Sequence, residues 1–308
     1  MKIPVGDAHC DFLYYMANKR WDIGAKKDRQ TIYLPSLREG GVKLQFFAVW
    51  MDADQKQPFV RQCSAMLDAF DTMLDKHPDA LVPFSKDYTP ADERIACVLT
   101  IEGGEAIEGE IDALDRLYAR GVRAMTLTWN YRNDLAYPAT GLRNRGLTRL
   151  GKAAVERMSS LGIALDVAHL NDAGIDDVLE RASRPIFASH SNARAVYESK
   201  RSLCDRHIQE IAKGGGVICV NFYPRQLSKG EATAEDVVRH IDHIAGLVGT
   251  AHVGIGSDFD GMNCMPKDLR SSADIPILWE KLLRLGYSQA DVERIAYHNL
   301  RDYIVQFY

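Results

Sequence analysis

The chain has 308 residues, of which 46% are hydrophobic, and its formal net charge is −4. This length is enough to bury a large core, and the mild acidity argues against partners such as nucleic acid or an anionic membrane. The longest apolar runs fall short of the ~18 residues that a membrane span needs. Six scattered cysteines without a C-x-x-C pair suit a reducing compartment. Because no hydrophobic leader opens the sequence, we expect a cytoplasmic, unanchored protein.

Eight short apolar runs recur along the chain, and the segments between them mostly show helical periodicity. Runs of this length that are apolar on both faces predict buried parallel strands. They are residues 4–9, 44–50, 95–102, 124–128, 163–169, 185–190, 216–221 and 252–258.

The intervening helices are predicted from apolar residues spaced about 3.6 apart. The clearest are residues 59–76, 147–160 and 233–248, the last with Thr233 as N-cap. Ser288 begins a final helix, with Asp291 placed as in a capping box. Eight strand-then-helix units predict an α/β fold, a single-domain (β/α)8 TIM-like barrel over residues 1–308. A doubly wound open sheet is the alternative, but the sequence contains neither G-x-G-x-x-G nor a P-loop.

Polar residues concentrate at the carboxyl ends of these predicted strands. In chain order they are His9, Asp11, Glu102, His169, His190 and Asp258. Because the strands are otherwise apolar, burying these groups would be costly without a compensating partner. Imidazole and carboxylate ligands suit zinc. The pattern therefore predicts metal binding at one rim of the barrel, with two histidines for one ion, a histidine and carboxylates for another, and Glu102 free to bridge them.

Other polar residues fit structural roles better. Glu105 competes with Glu102 but lies in the loop beyond the strand, and Asp260 resembles a turn aspartate. His240 and His243 fall on the polar side of a predicted helix, so we expect both to be solvated. A G-x-S-x-G elbow, which would indicate a serine hydrolase, is absent.

Six segments, taken in order, resemble the renal-type or membrane dipeptidase family. They are DAHCD from residue 7, IEGGEA, GLTRLGKAAVERMSSLGIALDVAHL, FASHSNARAV, GGGVICVNFY, and HVGIGSDFDGM ending at residue 262. The resemblance covers most of the chain and implies a (β/α)8 barrel holding two Zn²⁺ ions. It implies that His9, Asp11 and Asp258 hold one ion, that His169 and His190 hold the other, and that Glu102 bridges them.

The same resemblance implies hydrolysis of dipeptides, including L-D dipeptides, by a metal-bridged hydroxide, with Asp258 and Glu102 as catalytic residues. Arg201, eleven residues after His190, would bind the C-terminal carboxylate of the substrate. Trp129 stands where better-known members carry a substrate-contacting histidine, so we expect it to line the pocket. The expected partner is a small dipeptide. We expect neither nucleic acid nor a membrane as a partner, and a homodimer is compatible with these expectations.

Two alternatives stay open on the sequence alone. One is another amidohydrolase reaction on the same metal pair, such as hydrolysis of N-acyl amino acids. The other is a non-catalytic metal-binding barrel.

Overall fold

The computed structural model describes residues 2–308. Its β-strands are β1 (Val5–Asp7), β2 (Val42–Trp50), β3 (Leu81–Pro83), β4 (Ile95–Glu102), β5 (Val122–Thr126), β6 (Ala164–Asp166), β7 (Ile218–Val220) and β8 (Val253–Ile255). Its α-helices are α1 (Phe12–Lys19), α2 (Leu34–Glu39), α3 (Phe59–Lys76), α4 (Ala113–Ala119), α5 (Arg149–Leu161), α6 (Asp172–Arg181), α7 (Asp205–Lys213), α8 (Pro224–Leu227), α9 (Ala234–Val248), α10 (Pro276–Arg284), α11 (Gln289–Glu293) and α12 (Asn299–Ile304).

The strands form one parallel sheet in the order β6-β5-β4-β2-β1-β8-β7, and β3 pairs with β4 off this path. The two edge strands, β6 and β7, are joined by a linking segment around Phe187 and Ala188. Phe187 forms a bridge with Asp166, and Ala188 forms a bridge with Ile218. The regular strands therefore leave the sheet open, and these isolated bridges connect its edges in the manner of a TIM-like barrel.

The predicted α/β fold with a parallel sheet is confirmed, with three corrections to the strands. Residues 185–190 form only isolated bridges and not a regular strand. The short strand β3 was not predicted, because only three residues, ending at Pro83, pair with the beginning of β4. The fifth and eighth runs also stop early, at Asp166 and Ile255, and in the loops that follow His169 and Asp258 adopt left-handed φ values of 67° and 64°.

The predicted helices are observed with small changes at their ends. Helix α3 has the predicted bounds, and α5 begins two residues after the predicted start. Thr233 and Asp236 form a capping box at the beginning of α9. Ser288 caps α11, which continues through a π-helical turn, Arg294–His298, into α12.

The expectation that His240 is solvated was wrong. Its ring is fully buried, with Nδ1 accepting from the Ala193 N–H at 3.2 Å and Nε2 lying 3.1 Å from the Leu227 carbonyl oxygen. These backbone contacts cover the helix face that the sequence marked as polar. His243 is half-buried, 2.9 Å from Asp205 Oδ1.

The two ends of the sheet differ in what covers them. Leu300 and Tyr303 of α12 pack in a buried cluster with Leu44, Phe46 and Val98 of the strands. This cluster closes the amino end of the sheet, while the carboxyl end carries the predicted polar residues. Among residues 2–308, none of the helices combines the length and the apolarity that crossing a bilayer requires.

Candidate metal centre and substrate cavity

The six predicted metal ligands meet at the carboxyl end of the sheet, where five of them are buried and Asp258 is half-buried. On one side, His169 Nε2 lies 2.9 Å from His190 Nε2 and 2.9 Å from Glu102 Oε1. His190 Nε2 lies 3.4 Å from the same carboxylate oxygen. Two imidazole nitrogens and one carboxylate oxygen thus converge on one point. This arrangement is better suited to binding a cation than to forming hydrogen bonds among the three side chains.

The other side of the cluster is built around His9. Its Nε2 lies 3.3 Å from Asp11 Oδ2 and 3.8 Å from Glu102 Oε2, and it is buried without a hydrogen-bond partner. Glu102 therefore presents one oxygen to each half of the cluster. Asp258 lies between the halves, with a ligand atom within 4.8 Å of those of His9 and His190.

The donor chemistry fits a pair of divalent metal ions. Three groups of ligand atoms each lie within 4.8 Å of one another: His9, Asp11 and Glu102; Glu102, His169 and His190; and His9, His190 and Asp258. Neutral imidazole and carboxylate are the ligands of zinc and similar ions. The buried, unpartnered nitrogen of His9 and the facing nitrogens of His169 and His190 are the observations that support this fit.

The electric field of the cluster is strongly negative near His9. Burial alone would lower the pKa of His9, but the carboxylates of Glu102 and Asp11 raise it to about 10. Burial raises the pKa of Glu102, and it raises that of Asp258 to about 6. Because a field that retains a proton also stabilises a metal cation, these shifts favour cation binding.

Two glycines allow the ligand loops to approach closely. Gly103 follows Glu102 with a φ of 106°, and a Cβ there would lie 2.3 Å from a carboxylate oxygen of Glu105. A Cβ on Gly261 would lie 2.2 Å from Asp11 Oδ2 and 2.6 Å from Asp258 Oδ1. Gly261 thus leaves room for two ligand carboxylates side by side.

Several residues that the sequence reasoning missed hold the ligands in place. Asn130 Oδ1 lies 3.0 Å from His169 Nδ1, and Ser189 Oγ lies 2.7 Å from His190 Nδ1. Asn221 Nδ2 donates to Asp258 Oδ2 at 3.1 Å. Such contacts fix the orientation of metal-binding side chains. Asn130 and Asn221 sit at the carboxyl ends of predicted strands, a signal that could have identified them.

A cavity of about 670 Å³ opens beside these ligands, and Arg201 lines it. Arg201 is only 8% exposed, its Nε has no hydrogen-bond partner, and within residues 2–308 no carboxylate lies within 4.0 Å of its guanidinium. Burial lowers the pKa of Arg201 to about 10. A buried cation without an ion pair is costly, so this guanidinium is suited to bind an anionic group entering the cavity.

Aromatic side chains form the opposite wall of the cavity. Trp129 is half-buried, with its ring centroid 4.9 Å from that of Trp50 and 6.2 Å from that of His169. It therefore lines the cavity beside a predicted ligand. Glu105 lies in a 3-10 turn and lines a neighbouring cavity, whereas buried Asp260 accepts two hydrogen bonds from Thr31.

The chain is similar to known dipeptidases and metallopeptidases. The rat protein "Dipeptidase 3" is 29% identical over 310 residues, covering 96% of this chain and 64% of its own length. The chain thus spans a little under two thirds of that curated relative. A metallo peptidase from Rhodobacter sphaeroides, liganded with a phosphinate mimic of the dipeptide L-Ala-D-Ala, superposes with a TM-score of 0.92 at 27% identity, with 100% of each chain covered.

The structure of a metallo peptidase described as dipeptidase AC has a TM-score of 0.90 and 28% identity, with 99% of each chain covered. The sequence profile of the membrane dipeptidase family matches residues 1–302. Since this match takes in nearly the whole sequence, the chain belongs to the membrane dipeptidase family, peptidase family M19.

Proposed function

We propose that this protein is a dipeptidase that binds two zinc ions and hydrolyses the peptide bond of a dipeptide. The observation that carries this proposal is the position of Glu102, which presents one oxygen to each half of a buried ligand cluster beside an unpaired arginine in the same cavity. The family and the dipeptide mimic bound by the Rhodobacter sphaeroides relative support it.

The proposed ligands are His9, Asp11 and Asp258 for one ion and His169 with His190 for the other, with Glu102 between them. When bound, the ions supply Lewis acidity and lower the pKa of water toward neutrality. Asp258 acts as general acid–base: its carboxylate takes a proton from the attacking water and delivers it to the leaving amine. Asn221 donates to one oxygen of that carboxylate and so orients it for proton transfer.

Arg201 sets the length of the substrate. Its guanidinium binds the C-terminal carboxylate through charge-assisted hydrogen bonds. Because Arg201 also contacts the backbone oxygen of His190 at 3.5 Å, it is tied to the ligand cluster. The carboxylate must therefore lie one residue beyond the scissile bond, which favours dipeptides over longer peptides.

Trp129 shapes the wall of the pocket in this proposal. An indole can donate one hydrogen bond but cannot become cationic, so it supplies surface rather than a titratable donor. Bound metal ions would then supply more of the oxyanion stabilisation. The ligand of the Rhodobacter sphaeroides relative suggests that substrates with a D-residue at the C-terminus are accepted.

The proposal is tested with a dipeptide library that includes L-D pairs, assayed with zinc-loaded protein and analysed for products. Release of two free amino acids is the expected result. Turnover of N-acyl amino acids to an acyl acid, without dipeptide turnover, would instead identify the amidohydrolase alternative. Metal binding without turnover of any library member would support a non-catalytic barrel.

A further inference from the structure

Arg225 is a second arginine in the wall of the cavity, and the proposed mechanism does not use it. It lies in α8, two residues after Tyr223, with its guanidinium carbon 6.0 Å from the centroid of the Tyr223 ring. The side chain is exposed, and within residues 2–308 no carboxylate lies within 4.0 Å of it. Its charge is thus available to a molecule that enters the cavity.

Arg225 and Arg201 line the same cavity. Arg201 follows the segment that links β6 to β7, and Arg225 follows β7, so the two residues lie in adjacent loops. Trp50 ends β2 and Trp129 follows β5, and both line the other side of the same cavity. A dipeptide that binds its C-terminal carboxylate to Arg201 therefore occupies a cavity whose wall also includes Arg225.

The charges along the cavity wall favour an anion at that end. Its acidic lining residues are Asp11, Glu102 and Asp258, which belong to the ligand cluster, and Asp260. Asp260 is buried and its Oδ1 accepts from both the backbone and the hydroxyl of Thr31. Its Oδ2 is buried and has no hydrogen-bond partner. Outside the ligand cluster, a basic substrate side chain would thus meet two arginines and only this one buried carboxyl group, whereas an acidic one would meet an exposed cation.

We infer that Arg225 selects dipeptides whose C-terminal residue has a carboxylate side chain, glutamate or aspartate. This rests on the proposed dipeptidase function and assigns the substrate class within it. Arg201 binds the main-chain carboxylate, and Arg225 binds the side-chain carboxylate. Because Arg225 is exposed, the interaction is screened by salt.

The test compares Ala-Glu with its neutral isostere Ala-Gln, in both L-L and L-D forms, using metal-loaded full-length protein. We expect kcat/KM to favour Ala-Glu by about fivefold, a factor typical of a partly exposed ion pair. In R225Q this ratio should fall to about one, and in R225E the preference should shift to Ala-Lys. The wild-type preference should also shrink at high ionic strength.

Lys229→Gln is the matched control, since Lys229 is an exposed cation four residues further on that lines only a neighbouring cavity. It should keep the wild-type ratio, and thermal unfolding should show that all variants are folded. Hydrolysis of Ala-Glu and Ala-Gln at equal rates by the wild type would overturn this inference alone. So would equal losses on both substrates in R225Q, which would mean that Arg225 binds the main chain. Failure to hydrolyse any dipeptide would overturn the proposed function as well.

Discussion

Asp258 is half-buried among the candidate ligands, and one of its oxygens already accepts a hydrogen bond from Asn221. Asp258→Asn should keep the shape of the side chain but remove its capacity to accept and deliver a proton. We expect kcat to fall by roughly 10²–10⁴-fold, the usual contribution of general acid–base catalysis. Steady-state kinetics with circular dichroism measure this. A folded variant with near-normal kcat would show that Asp258 is not the proton carrier.

Arg201 can be tested by removing either the guanidinium or the carboxylate that it is proposed to bind. Arg201→Ala should cost on the order of 2–5 kcal/mol in transition-state binding of dipeptides with a free C-terminus, as for a buried charge pair. A C-terminally amidated dipeptide lacks that carboxylate, so Arg201→Ala should weaken its transition-state binding only a little. Arg143, a cation that lines only a neighbouring cavity, provides the control variant Arg143→Ala. Equal damage to both substrates would indicate a structural role for Arg201.

Trp129 is expected to control the size of the substrate side chain. Trp129→Ala removes a wall that packs on Trp50, so preference should shift toward larger side chains while kcat/KM for small ones falls. Trp129→His should fold, since position 129 is only half-buried. A dipeptide panel measures the effect. A change of every kcat/KM by one common factor would exclude a role in selectivity.

At the level of elements, the carboxyl ends of the strands were the most informative part of the sequence. Glu102 ends β4 as predicted, because a buried carboxylate after an apolar run needs a partner. His169 and Asp258 were predicted as ligands by the same reasoning, although each lies in a loop three residues beyond its strand. Arg201 was found only through the family resemblance, since nothing in its local pattern marks it as buried.

Other features could not be predicted because they depend on how distant loops meet. Arg225 reaches the cavity through the turn from β7 into α8, a geometry that no local periodicity encodes. His240 looked exposed because its helix face is polar, but residues 193 and 227 of other segments cover it. The linking segment around Phe187 has a strand-like sequence, yet it forms only isolated bridges to its neighbours.

The buried histidine of α9 should make stability depend on pH. Burial lowers the pKa of His240 from 6.5 to about 4, so the unfolded chain takes up a proton between these values while the folded chain does not. The free energy of unfolding therefore has its full value above about pH 6.5. It decreases as the pH drops toward 4, by on the order of 3 kcal/mol. Chemical denaturation of wild type and His240→Asn across this range measures the difference. Identical pH slopes would contradict it.

At the scale of the whole molecule, the sheet brings together residues that are far apart in the chain. The ligands run from His9 to Asp258, and Glu102 links the two halves of the cluster. Helix α12 packs at the amino end, away from these ligands. Metal binding to such a cluster stabilises the folded state by mass action, so removal of the metal should lower the thermal unfolding temperature.

We propose that two metal ions, held together by Glu102, support dipeptide hydrolysis in this barrel. The most direct test is to remove metal from the protein, add back Zn²⁺ in steps, and measure dipeptide turnover together with bound metal by native mass spectrometry. We predict that activity is absent in the metal-free protein and reaches its plateau at two ions per chain. Glu102→Gln should weaken binding of the pair, since a neutral amide is a poor bridge between cations. Full activity with one ion or none would contradict the claim.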